Sequence, residues 1–303
     1  MGRNGAERRP ATGGEESAGQ CAPAAGAGGG NATKLVGMIL PSASPASLVL
    51  GLAAALAYAL PALFAARLAP GVSRAALAAA WVLHGAALFW SLASSPPHFG
   101  FAPALSITAW FVLTVYAVES RLYPRLRARW ALCGLGAVAV LLALAFPGTA
   151  MHAQNSPWLP LHLALGVASY GLFAAALVHA WLMTRAEKQM RLAADPQSGM
   201  PLLTLERLTF RFVNAGFVLL TATLAAGLLF GETLYGRAWR WDHKAVFSVL
   251  SWLTFLVLLL GRARFGWRGR TALRWLYIGS ALLLLAYVGS RFVLEVVLHR
   301  APA

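Results

Sequence analysis

Eight long apolar runs constrain this chain more than any other feature. They lie near residues 46–66, 75–93, 102–120, 130–147, 159–183, 212–231, 244–261 and 272–291. About 20 apolar residues in a helix cross the hydrocarbon of a bilayer. Lipid offers the backbone no hydrogen-bond partner, so each run must close its own bonds. The pattern predicts an all-α fold, a polytopic transmembrane helical bundle of about eight spans. Composition agrees, because 59% of the residues are hydrophobic and 12% charged. Soluble domains have roughly 45–50% and 25%.

The net charge of +15 would point to nucleic acid in a soluble protein. Here the cations gather in short connectors instead, a pattern that fits topology determinants and anionic-lipid contacts and excludes nucleic acid as the partner. Arg67 and Arg74 flank the first connector, and Arg121, Arg125, Arg127 and Arg129 fill the third. Arg185, Lys188, Arg191, Arg207 and Arg211 belong to the fifth, which spans 185–211 and reads as the longest internal loop, with its turn at Pro196. Arg262, Arg264, Arg268, Arg270 and Arg274 mark the seventh. Residues 94–101 and 148–158 carry no Lys or Arg. The positive-inside rule puts the odd connectors in the cytoplasm and both termini on the extracytoplasmic side. A bacterial inner membrane is the expected location. Residues 1–45 are rich in Ala and Gly and read as a disordered extension, with Met38 as the expected start and 46–298 as the membrane domain. A native N-terminus before Met38 would contradict that start. Cys21 and Cys133 are the only cysteines, so there is no CxxC pair and a thiol–disulfide carrier is disfavoured.

One connector is unlike the rest. Glu232 to Lys244 packs Tyr235, Trp239, Trp241, Asp242 and His243 between two apolar runs. Arg237, Arg240 and Lys244 break the charge rule there, which suggests pairing with an anionic ligand. Three histidines stand near the same outer side or within the spans. His84 is in the middle of the second span, His162 about one turn inside the fifth, and His243 opens the seventh. Ionisable groups in spans usually face a bundle interior or a site. There is no HExxH motif and no close His/Asp/Glu run, so a closed zinc site is poorly supported. Isolated imidazoles, paired tryptophans and nearby arginines suit haem better. Imidazole holds the iron, indole faces cover the macrocycle, and guanidinium pairs the propionates.

Plainer readings stand beside these. His84 also reads as a buried histidine with a structural hydrogen bond, and His243 as a polar helix start. His98 and His152 read as loop residues, and His179 and His299 as interfacial residues near span ends. Most tryptophans serve as belt anchors. Glu119 reads as an interhelical or interfacial contact, and Arg291 as a partner of Glu295 one turn on. The small residues Gly166, Ser169 and Gly171 allow close helix approach.

Leu161-His162 followed by Ala168-Ser169-Tyr170 resembles a Leu-His…Ser-Tyr motif, and Trp239-Arg-Trp241-Asp242-His243-Lys244 a Trp-x-Trp-Asp-Pro-Lys motif. Both motifs belong to the cytochrome c assembly superfamily of haem-handling membrane proteins, which includes the CcsA, CcmC and HemX proteins. Gly266-Trp267-Arg268-Gly269-Arg270 and Gly289-Ser290-Arg291-Phe292 are similar to its YpjD branch in particular. The resemblance covers Met38 to about Leu298. It implies a Trp-rich outer segment lying against haem, flanked by histidines that serve as axial ligands. Carried over by position, His162 is the upstream flanking histidine and Trp239, Trp241 and Asp242 face the haem. His243 stands where the family has Pro. Leu260-Gly-Arg262 and Val288-Gly-Ser-Arg291 stand where the full CcsA proteins carry further histidines.

Together these readings predict a haem-binding protein of cytochrome c biogenesis that holds or presents haem at the extracytoplasmic face. His162 is the expected ligand to the iron, with His84 or His243 as the second. Trp239 and Trp241 form the platform, and Arg237 and Arg240 make the propionate contacts. Other assembly components or an apocytochrome c are the expected partners. No covalent catalyst is evident, so an enzyme is not expected. The HemX resemblance keeps open a membrane regulator or scaffold of haem biosynthesis. A small-solute transporter is disfavoured, because no pair of broken spans is evident.

Overall fold

The computed structural model describes residues 45–64, 67–93, 98–122, 129–150, 158–191, 201–231 and 241–297. The N-terminal stretch to residue 44, with Cys21 and Met38, lies outside them, as do His152, His299 and the connector residues 232–240.

Each apolar run forms a helix. In chain order these are α1 (Pro45–Leu63), α2 (Pro70–Ala93), α3 (Phe101–Leu122), α4 (Arg129–Ala145), α5 (Trp158–Arg191), α6 (Leu202–Leu229), α7 (His243–Phe265) and α8 (Gly269–Leu284). Helix α8 continues through a π-helical turn, Leu285–Gly289, a short α-turn, Ser290–Phe292, and a second π-turn, Val293–Val297. Seven of these helical segments are long and apolar enough to cross a membrane. The eighth, α4, has 17 residues, which rise about 25 Å and reach the lower limit of a span. The molecule is a polytopic helical bundle.

The loop expected over 185–211 is largely helix instead. Helix α5 runs 34 residues to Arg191, and α6 begins at Leu202. Arg185 to Arg191 are polar but good helix formers, and Arg191 pairs with Glu187 one turn back at 2.6 Å. At the start of α6, Leu205 and Leu208 are buried, so packing continues where the apolar run has ended.

The helices form two groups. In the first, α1 packs on α2 and α4, and α3 packs on α2 and α4. In the second, α5–α6, α6–α7, α7–α8 and α8–α5 contacts close a ring. The seam between the groups is made by α3 against α5 and against the first π-turn. It depends on Gly171, where an added Cβ would lie 2.4 Å from the Phe111 ring. In the second group, Phe173 stacks on Phe255 with centroids 3.9 Å apart, tying α5 to α7.

The two ends of the bundle differ. At one end, β1 (His98–Phe99) pairs antiparallel with β2 (Thr149–Ala150), with His98 opposite Ala150. Gly148 precedes β2 at φ +82, and a Cβ there would lie 2.6 Å from the Phe99 backbone, so only glycine fits. At the other end are the basic connectors. There Arg262 pairs with Glu206 at 2.7 Å and lies over the Phe210 ring at 3.7 Å, clamping α7 to α6.

Candidate functional site

At the end that carries β1 and β2, α5 to α8 and the start of α3 enclose a cavity of about 360 Å³. That volume lies in the range of small-molecule and cofactor sites. Helix α5 supplies Leu159, His162, Leu163, Gly166, Val167, Ser169 and Tyr170. These positions recur at three- and four-residue steps, so they form one stripe of the helix. The spacing in the Leu-His…Ser-Tyr motif therefore has a geometric reason: His162, Ser169 and Tyr170 stand two turns apart on one face. The Ser169 hydroxyl donates to the Gly166 carbonyl at 2.8 Å. The Tyr170 hydroxyl donates to the Leu283 carbonyl and ties α5 to α8.

The opposite walls are Leu220, Thr223 and Leu224 of α6, and Leu283, Ala286, Tyr287, Val288 and Arg291 of α8 and its extension. Phe99 of β1 also lines the cavity, with its ring 6.0 Å from that of Tyr287. The start of α7 contributes Asp242, Lys244, Ala245 and Ser248. Asp242 is the N-cap of α7: its side chain accepts from the Ala245 N–H at 2.9 Å. This satisfies an otherwise orphan donor and gives the Asp of the Trp-x-Trp-Asp motif a structural task. The next position opens the helix, where proline is favoured. His243 thus occupies a helix-start position; it is exposed and does not line the cavity.

The expected site residues therefore separate. His162, Asp242 and Lys244 come together at the cavity. Trp241 is next to Asp242 in sequence, 71% exposed and not part of the lining. Trp239, Arg237 and Arg240 lie outside the described residues. Arg291 lines the cavity and lies over the Tyr287 ring at 5.8 Å, while the side chain of its expected partner Glu295 lies outside the described ones.

His84 is not brought into this group. It is 1% exposed and sits within the first helical group. Its Nε2 is 2.8 Å from Ser106 Oγ and its Nδ1 is 3.3 Å from the Tyr58 hydroxyl. Ser106 lies on α3 between the cavity-lining Ala104 and Thr108, and so on the opposite face of that helix. Both ring nitrogens lie within hydrogen-bond reach of protein hydroxyls.

His179 also differs from expectation. It is 3% exposed rather than interfacial. Its Nδ1 donates to the Ala175 carbonyl at 2.8 Å and its Nε2 lies 2.9 Å from Glu119 Oε2. Glu119 is the interhelical contact that the sequence suggests, joining α3 to α5 toward the basic end.

The cavity suits a haem group in its chemistry. One imidazole, leucine and valine walls, and two cations match an iron, a flat apolar ring and acidic side groups. At Leu260-Gly-Arg262 a second ligand site has no room. A Cβ on Gly261 would lie 2.3 Å from the Trp267 ring, which stacks on Trp275.

Comparisons with known proteins agree with this architecture. The sequence profile described as cytochrome C assembly protein matches residues 71–298. The inner membrane protein YpjD of Escherichia coli K12 is 33% identical over 148 residues, which are 48% of this chain and 56% of that protein. The chain thus spans only about half the length of that relative. An uncharacterized 28.8 kDa protein of Azospirillum brasilense is 35% identical over 233 residues, covering 73% of this chain and 82% of its own. The cytochrome c biogenesis protein CcsA of Synechococcus sp. CC9902 is 28% identical over 257 residues, 73% of this chain and 83% of its own.

Proposed function

The chain belongs to the cytochrome c assembly protein family, and from that premise we propose that it is a haem-holding membrane protein of cytochrome c biogenesis. In this reading it sits in a bacterial inner membrane, with the cavity at the extracytoplasmic face. The observation that carries the proposal is the cavity itself, with His162 in its wall and apolar side chains around it. Support for the orientation comes from the basic connectors, which lie at the other end of the bundle and mark the cytoplasmic side by the positive-inside rule.

His162 is the residue proposed to ligate the iron, its imidazole presented from a stripe of α5 that Tyr170 fastens to α8. Asp242 holds the start of α7 in place, which orients Lys244 toward the cavity. Trp239 and Trp241 are proposed to cover the group from the connector, a role supported by their place directly before Asp242. The bound haem supplies a redox-active iron and an acidic edge; the protein binds it, orients it and keeps it from water. Handing the group to another assembly component or to an apocytochrome c follows from the biogenesis reading. No residue is assigned a covalent step, so the protein is proposed to act as a holder rather than an enzyme.

Protein purified from haem-replete cells is expected to carry a Soret band at about one haem per chain. Haem-replete material with no such band would contradict the proposal.

A further inference from the structure

Two features of the cavity wall are not used by iron ligation. The first is charge. Lys244 enters from the first turn of α7 and Arg291 from the extension of α8, whereas Asp242 is the one carboxylate among the described lining residues and caps α7. Cations at membrane depth are costly and mark the path or seat of a ligand. The second is helix geometry. Two π-turns bracket Ser290–Phe292, and among the described residues they occur only here. A π-turn adds one residue to a turn and re-aims the side chains that follow, and such turns recur at functional sites. Tyr287, in the first π-turn, and Arg291, in the α-turn after it, both line the cavity, with the guanidinium over the phenol ring. A planar guanidinium held against an aromatic face is prearranged to meet a carboxylate with two hydrogen bonds.

We infer that Arg291, aided by Lys244 from the neighbouring helix, reads the carboxylates of the ligand, so that the site selects an acidic macrocycle over its neutral ester. The inference rests on the haem reading above and makes Arg291 the specificity-determining residue of that site.

The test titrates haem-depleted protein in detergent with haem and, separately, with haem dimethyl ester, following the Soret shift. Native protein is expected to bind haem at least about tenfold more tightly than the ester, as charge-assisted hydrogen bonds imply. Arg291→Gln is expected to weaken haem binding about tenfold and leave ester binding within about twofold, closing the gap. Lys244→Gln should act in the same direction and less. Retained ester binding also shows that each variant is folded. Equal affinity of native protein for haem and ester would overturn the inference, as would an Arg291→Gln variant that loses both ligands alike. Absence of binding by either ligand to native protein would overturn the haem reading itself, and this inference with it.

Discussion

His84 and His162 are both histidines on membrane helices, and their surroundings differ. His84 is sealed in the α1–α4 group, with a hydroxyl from α1 on one nitrogen and a hydroxyl from α3 on the other. His162 lies in the α5–α8 group, on the wall of a 360 Å³ cavity shared with two cations. A buried polar group with its bonds satisfied by the fold stabilises the fold. One that borders a cavity faces space that a ligand can enter. The lesson is that depth in the membrane does not tell a sealed histidine from one on a cavity wall; the packing around the ring does.

Gly171→Val strikes the frame that both regions share and should have the largest effect. The new side chain meets the Phe111 ring at the seam, and overpacking of this kind costs about 3 kcal/mol. Thermal denaturation in detergent should show a marked loss of stability and of bound haem together. Separate transitions for the two helical groups would show that the seam does not couple them.

His84→Ala sharpens the contrast. It removes a buried ring and leaves the Tyr58 and Ser106 hydroxyls without it, at a cost of roughly 2–4 kcal/mol. The haem content per folded chain should not change. If haem were lost while the fold held, His84 would be a ligand and the division between the two regions would fall. Ser106→Ala is the mildest change, removing one hydroxyl partner for about 1 kcal/mol. It should lower the melting temperature slightly and leave the spectrum untouched; a spectral shift would link Ser106 to the cavity on the far side of α3.

Much of this arrangement can be read from the sequence, and the limits have physical causes. The apolar runs mark all eight helices because bilayer thickness sets their length. Hydropathy stops marking a helix once it leaves the lipid, which is why Arg185–Arg191 and Leu202–Leu208 look like loop and are helical. On α5, the stripe through His162, Gly166, Ser169 and Tyr170 is legible from helical periodicity alone. Its partners are not, because four other segments far apart in sequence converge on it. The same holds for His84, whose hydroxyl partners stand 26 and 22 residues away. The end of α8 shows a further limit: the π-turns that flank Ser290–Phe292 leave no mark in composition.

The most direct test compares visible spectra of native protein, His162→Ala and His84→Ala, purified side by side from haem-replete cells. The account predicts a Soret band in native protein and in His84→Ala, and its loss in His162→Ala with the helical content unchanged. A band that survives in His162→Ala and disappears in His84→Ala would contradict it.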